Sequence, residues 1–266
     1  MVAPSDKIFP LGVLIDYWNL QPDIPGSGKI RICVNSYKCR NPAFGGTVKE
    51  EMIKDAFLGA SKWKIVAEAG GAKKYVDAFV GKGSPDTITT VLELVYKYKD
   101  DFLKSYGKSQ TEPYKSCARI LKADSSPEAM LQAFCDAFIG LDCNGFVGNF
   151  VQRANHALKL EASSSIKTGF YSARKAVRKS PEEIRDRDLV IWSNFLHIAA
   201  VDHVQPETGR VMVAQSTAGG PQANNHKPVA VNGGLFRFDP PATRFGGQVY
   251  ILDVGLSEPA KQAVSP

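Results

Sequence analysis

A chain of 266 residues, 44% hydrophobic and 23% charged, carries enough apolar material for a core of ordinary size, with no need of a metal or a disulfide scaffold to rescue it. Its 33 Lys and Arg against 27 Asp and Glu leave a net charge of +6 and a pI near 9.0, which suits acidic partners or a plain solvated surface. No apolar stretch approaches the length of a bilayer span, which argues against membrane insertion. The N-terminus MVAPSDKIFPLGVLIDYW lacks the basic region and long apolar run of a secretory signal.

Residues 1–47 are rich in Pro and Gly, with one strand-like run from Lys29 to Val34 and a plain turn around Gly26 and Gly28. Residues 48–140 read as helical. Met52, Ile53, Phe57 and Leu58 have helical spacing within Val48–Trp63. Ser84-Pro85-Asp86 and Ser126-Pro127-Glu128 each combine a capping serine, a proline for the first turn and an acid, so each predicts a helix start. A further helix opens near Cys143. A basic stretch then runs to Ser180-Pro181-Glu182, after which β-type runs dominate: 188–192, 196–204, 210–216, 229–238 and 248–254. Helices first and strands afterwards predict an α+β fold. The turn-rich GKSQTEP stretch suggests a division into a mainly helical N-terminal extension, 1–110, and a second domain, 111–266.

The five cysteines form no disulfide framework and no zinc spacing, so neither a metal nor another cofactor is expected. Cys33 and Cys39 read as core or surface thiols, and Cys117 and Cys135 as packing residues. Cys143 differs. In Gly140-Leu141-Asp142-Cys143-Asn144-Gly145-Phe146-Val147 a short turn sets it at a helix start, followed by the apolar face of Phe146, Val147, Phe150, Val151, Ala154 and Leu158. There the unpaired N–H groups and the positive end of the helix dipole favour a thiolate and can receive an oxyanion. The bland alternative is a buried structural cysteine.

A partner base is offered by His197 in Phe195-Leu196-His197-Ile198-Ala199-Ala200-Val201, after the strand-like Asp188-Leu189-Val190-Ile191-Trp192. A nucleophile on a helix start and an imidazole on a strand packed against it make a thiol–imidazole pair. His203 shares the face of His197 by alternation but lies roughly 20 Å further along an extended strand. His156 lies more than three turns down the helix from Cys143, and His226, in the loop PQANNHKP, is a rival.

GLDCNGFV, DLVIW and HIAAV, in that order, resemble the NlpC-type cell-wall peptidases of the papain-like superfamily, over about residues 113–216. The resemblance implies a papain-like core, Cys143 as nucleophile, His197 as base and a third polar residue on the next strand to orient the imidazole. On Arg210–Ser216 that residue is Gln215, whose amide oxygen can accept the imidazole N–H, with Ser216 and Asp202 as alternatives. Two departures mark a divergent member: Asn144 replaces the usual serine, and Arg187 stands where a glycine usually precedes the aspartate.

The activity so implied is a cysteine peptidase or amidase cutting amide bonds in peptidoglycan stem peptides. Without a leader, such a chain would be made in the cytoplasm and exported by another route, as a delivered antibacterial toxin or a phage lysin. A toxin would need an immunity protein as partner in its producer. Rival readings are an acyltransferase, deamidase or transglutaminase using the same pair, and a non-catalytic binding module with a vestigial site. The basic cluster Arg174, Lys175, Arg178 and Lys179 reads as a solvated helix face. VYKYKDDF reads as an amphipathic helix packed on the core, so nucleic acid is not expected as a partner.

Overall fold

In the computed structural model, which describes residues 7–37, 62–154, 176–241 and 247–256, both Ser-Pro signals open helices. The hydroxyl of Ser84 accepts the Thr87 N–H at 3.2 Å and that of Ser126 accepts the Ala129 N–H at 3.2 Å, with a proline inside each first turn. The helices of the described residues are α1 (Pro10–Trp18), α2 (Lys62–Glu68), α3 (Ala72–Phe79), α4 (Pro85–Lys97), α5 (Lys99–Tyr106), α6 (Tyr114–Lys122), α7 (Pro127–Phe138) and α8 (Cys143–Ala154). The strands are β1 (Asp23–Ile24), β2 (Gly28–Lys29), β3 (Ala176–Val177), β4 (Leu189–Trp192), β5 (Ile198–Gln205), β6 (Arg210–Thr217), β7 (Gly220–Ala230), β8 (Phe236–Asp239) and β9 (Gln248–Asp253). The mixture is the expected α+β.

Contacts group the chain into two compact units. One comprises Ile15–Gly145 with Ala218–Pro221; the other comprises Met1–Leu14, Phe146–Thr217 and Gln222–Pro266. The units part between Gly145 and Phe146, whereas the composition of the sequence suggested 110/111. The helices flanking residue 110 lie in one unit and pack together: the rings of Tyr106 and Tyr114 are 4.8 Å apart, and Lys122 Nζ donates to the Gly107 carbonyl.

The first unit is helical. A chain of edge and tilted ring contacts, Tyr75–Phe79–Phe134–Phe138, ties α3 to α7. The segment before residue 38 is bound to α7 by side chain to main chain bonds. Gln132 Oε1 accepts the Cys33 N–H at 2.8 Å, and Gln132 Nε2 donates back to the Cys33 carbonyl at 2.9 Å. Of the strand-like run Lys29–Val34, only Lys29 lies in a two-residue strand, and Ile32 makes an isolated bridge to Leu20. The Pro- and Gly-rich start also contains α1, which the sequence reading did not anticipate. Of the expected helix over Val48–Trp63, residues 48–61 lie outside the described residues.

The second unit is built on a closed barrel. Strands follow the order β9-β4-β5-β6-β7-β8, and β8 pairs back to β9 through Phe236↔Val249 and Arg237↔Gln248; β3 adds to β9 from outside. A papain-like core on an antiparallel sheet was expected; the sheet is antiparallel, but its edge strands pair and close it into a six-stranded barrel instead of that core. Inside lie Val190, Ala199, Val213, Phe236, Val249 and Ile251 among others. The expected strand 229–238 is two strands and the turn between them. The polar PQANNHKP segment, expected as a loop, is most of β7. Its composition is poor in strand formers, but pairing on both sides within the barrel overrides that weak local preference.

Candidate functional site

In the helical unit, Cys143 is the first residue of α8 and 4% exposed. Asp142 sets it there. Its own N–H donates to the Gly81 carbonyl at 3.0 Å, and its Oδ1 accepts the Gly145 N–H, which makes it the N-cap. Its Oδ2 lies 2.6 Å from Lys82 Nζ. The cap needs two glycines. Gly81 has φ +81°, the left-handed region, and a Cβ there would lie 2.8 Å from Asp142 N; a Cβ on Gly145 would lie 1.9 Å from the Gly81 oxygen. Tyr37 completes the surroundings, with Oη 3.7 Å from Cys143 Sγ. Burial, followed by the nearby sulfur and Asp142, pushes the Tyr37 hydroxyl well above its usual range, so it stays protonated and can donate. The Asn144 side-chain oxygen, where the resembled motif has serine, is buried without a hydrogen-bond partner among the described residues.

In the barrel unit, β4 and β5 are joined by a tight turn. The Phe195 N–H donates to the Trp192 carbonyl at 2.8 Å and the Trp192 N–H to the His197 carbonyl at 3.1 Å, with Phe195 at φ 57°. His197 therefore ends the turn, one residue before β5, rather than lying within the expected strand 196–204. Its Nε2 lies 2.8 Å from Gln215 Oε1 on β6, and the Trp192 ring meets it edge-on with centroids 4.6 Å apart. A carbonyl oxygen only accepts, so Nε2 carries the hydrogen and the Nδ1 lone pair is the basic one. Burial lowers the affinity of His197 for a second proton, and the Gln215 bond opposes that less strongly. The imidazole is thus held neutral and in one tautomer.

The structure brings His197 and Gln215 together. Ser216 is fully buried, and Asp202 Oδ1 accepts the Leu11 N–H at 2.6 Å. His203 does not share the face of His197. The β5–β6 register slips between Val201 and His203, so Asp202 is an extra residue in a bulge; His203 turns outward and Val204 packs against the core. His226 lies in β7, not in a loop. It is 3% exposed, and its Nδ1 lies 2.7 Å from the Pro240 carbonyl. His156, Cys39, Arg174 and Lys175 lie outside the described residues.

Arg178 is no solvated helix residue. Following β3, it makes a two-pronged pair with the buried Asp188, Nε to Oδ2 and Nη2 to Oδ1 both at 2.8 Å, and reaches Asp253 as well. Arg187, at the position where the resembled motif has glycine, has φ 71°, a conformation that glycine adopts without cost. Cys33, Cys117 and Cys135 form no disulfide, and the latter two are buried.

The chain matches no protein-family model, no curated protein and no solved structure. The residues at hand therefore carry the functional argument. Tyr37 and Lys82 were missed by sequence reasoning, since they lie 106 and 61 positions before Cys143 and belong to no motif. Among the described residues no group of three or more His, Cys, Asp or Glu could hold a metal ion, and no helix is long and apolar enough to cross a membrane.

Proposed function

We propose that the chain is a cysteine hydrolase with the activity of the NlpC-type peptidases, cutting amide bonds in peptidoglycan stem peptides. The observation that carries this reading is the pinned imidazole: a neutral His197 with Nε2 bonded to Gln215 Oε1 and its basic lone pair on Nδ1. The placing of Cys143 at the first turn of α8, beside the Tyr37 hydroxyl, supports it.

In the proposed reaction Cys143 Sγ attacks the amide carbonyl and its proton passes to His197 Nδ1. The oxyanion takes hydrogen bonds from N–H groups of the first turn of α8 and from Tyr37. The Gly145 N–H is already committed to Asp142. His197 returns the proton to the departing amine, leaving a thioester. Water then attacks the thioester, again giving its proton to His197, and the acid and the thiol are released. The positive net charge suits an anionic cell-wall polymer. In this reading the protein is a delivered antibacterial toxin, paired with an immunity protein, or a lysin.

Digestion of purified peptidoglycan, with mass spectrometry of the fragments, tests this. The parent should release cut stem peptides, and Cys143→Ala should release none while melting at nearly the same temperature. Residual activity within about tenfold of the parent, only ~1.4 kcal/mol of barrier, rules out covalent catalysis by Cys143. Intact peptidoglycan after treatment with the parent overturns the substrate.

A further inference from the structure

The Asp142 cap presents a difficulty for the nucleophile it positions. A carboxylate next in sequence to Cys143, and 5% exposed, opposes the formation of a thiolate, because like charges disfavour each other's ionised forms. The helix N-terminus acts the other way, favouring negative charge on the sulfur. Left alone, the cap would undo much of what the helix supplies. Lys82 stands against this. It follows Gly81, whose carbonyl holds the Asp142 N–H, and its ammonium lies 2.6 Å from Asp142 Oδ2. Both side chains are largely shielded, at 16% and 7% exposure, so solvent screens the pair weakly. The turn that grips the cap by its main chain therefore also delivers the countercharge.

We propose that Lys82 is a positioning residue for the Cys143 nucleophile: it cancels the charge of the capping carboxylate, so that Asp142 can hold α8 in place without suppressing the thiolate. The inference rests on the reading of Cys143 as the nucleophile. Among the described residues of this unit, Tyr37, whose hydroxyl stays neutral, and Asp142 face Cys143, and Lys82 faces Asp142. In this scheme Lys82 acts through Asp142.

The test is the pH profile of iodoacetamide labelling at Cys143, read by peptide mass spectrometry on the full chain, which needs no substrate. Lys82→Met should move the labelling midpoint up by about one pH unit, a roughly tenfold slower reaction on the acid side, and Lys82→Arg should restore the parent profile. Asp142→Asn keeps a cap acceptor but removes the negative charge, so its midpoint should fall below the parent's. A Lys82→Met profile that superimposes on the parent's, or a Lys82→Arg profile as shifted as that of Lys82→Met, overturns the proposal. An unchanged midpoint in Asp142→Asn overturns it as well, and this variant decides the matter if Lys82→Met does not fold. Labelling is read on the thiol itself, so failure here is separate from failure of Cys143→Ala to abolish turnover.

Discussion

Cys143 and His197 are held by opposite means. Around Cys143 the grip is mostly main chain: the Asp142 N–H on the Gly81 carbonyl, the Gly145 N–H on the Asp142 carboxylate, and two glycines with no room for a side chain between them. Around His197 the grip is mostly side chain: Gln215 from the neighbouring strand and the edge-on Trp192 ring. A position built from backbone tolerates almost no added atom, because two peptide groups must move to make space. A position built from side chains loses its chemistry when one partner is trimmed, while the strand that carries it stays where it was.

The largest effect expected from this contrast is on the backbone side. Gly145→Ala puts a Cβ 1.9 Å from the Gly81 oxygen. It should cost about 3 kcal/mol or more, the upper end of ordinary overpacking. In a melt that is roughly 6–12 °C for a protein of this size. A melt within about 2 °C of the parent's would show that the glycine pair separates easily, and the contrast would fail.

The corresponding trim on the side-chain side is Gln215→Ala. The rate should fall roughly tenfold to a hundredfold, about 1.4–2.7 kcal/mol of barrier, as the imidazole loses its orienting acceptor. His197→Ala should do far more damage. Equal losses in the two variants, or none in Gln215→Ala, would mean that another residue orients the ring.

The smallest effect sharpens the contrast through acid. Burial lowers the proton affinity of both His197 and His226 in the folded barrel. The unfolded chain then binds more protons below the ordinary histidine value of 6.5, so the stability these groups lend is complete above it. That stability drains as the pH falls towards their folded values, by at most about 1.4 kcal/mol per pH unit for each group. Denaturant titrations at pH 7 and pH 5 should show this loss, and His197→Gln combined with His226→Gln should reduce it. An unchanged acid loss in that double variant would place the sensitivity elsewhere.

Local signals explain what the sequence disclosed. Ser84-Pro85 and Ser126-Pro127 satisfy their own helix ends within three residues, so the helices of the first half could be read directly. The helix start at Cys143 was legible from the short turn before it and the apolar face after it. The strands were legible where β-branched residues cluster, as in Leu189–Trp192, and not where the barrel imposes pairing on a polar run such as Gly220–Ala230. Gln215 could be singled out because the resemblance asks for a polar residue on the next strand and an amide oxygen can accept the imidazole N–H, but its bond to His197 depends on a cross-strand register that the sequence does not encode locally. Lys82 and Tyr37 lie far along the chain from the cysteine they attend, and only the tertiary fold collects them.

The bulge at Asp202 has a consequence best put as a reading frame. Along β5 the barrel interior takes every second residue, through Ala199 and Val201, and then, after one inserted residue, resumes with Val204. The partner strand β6 makes no such skip: Val213 faces Val201 and Val211 faces Val204. Asp202 thus acts as a frameshift in a code of period two. Without that skip the alternation would set His203 in the place of an inward residue and push Val204 out to solvent; deleting Asp202 would keep Val201 and Val204 inward and His203 outward, but it would strip Leu11 of the carboxylate that holds its N–H.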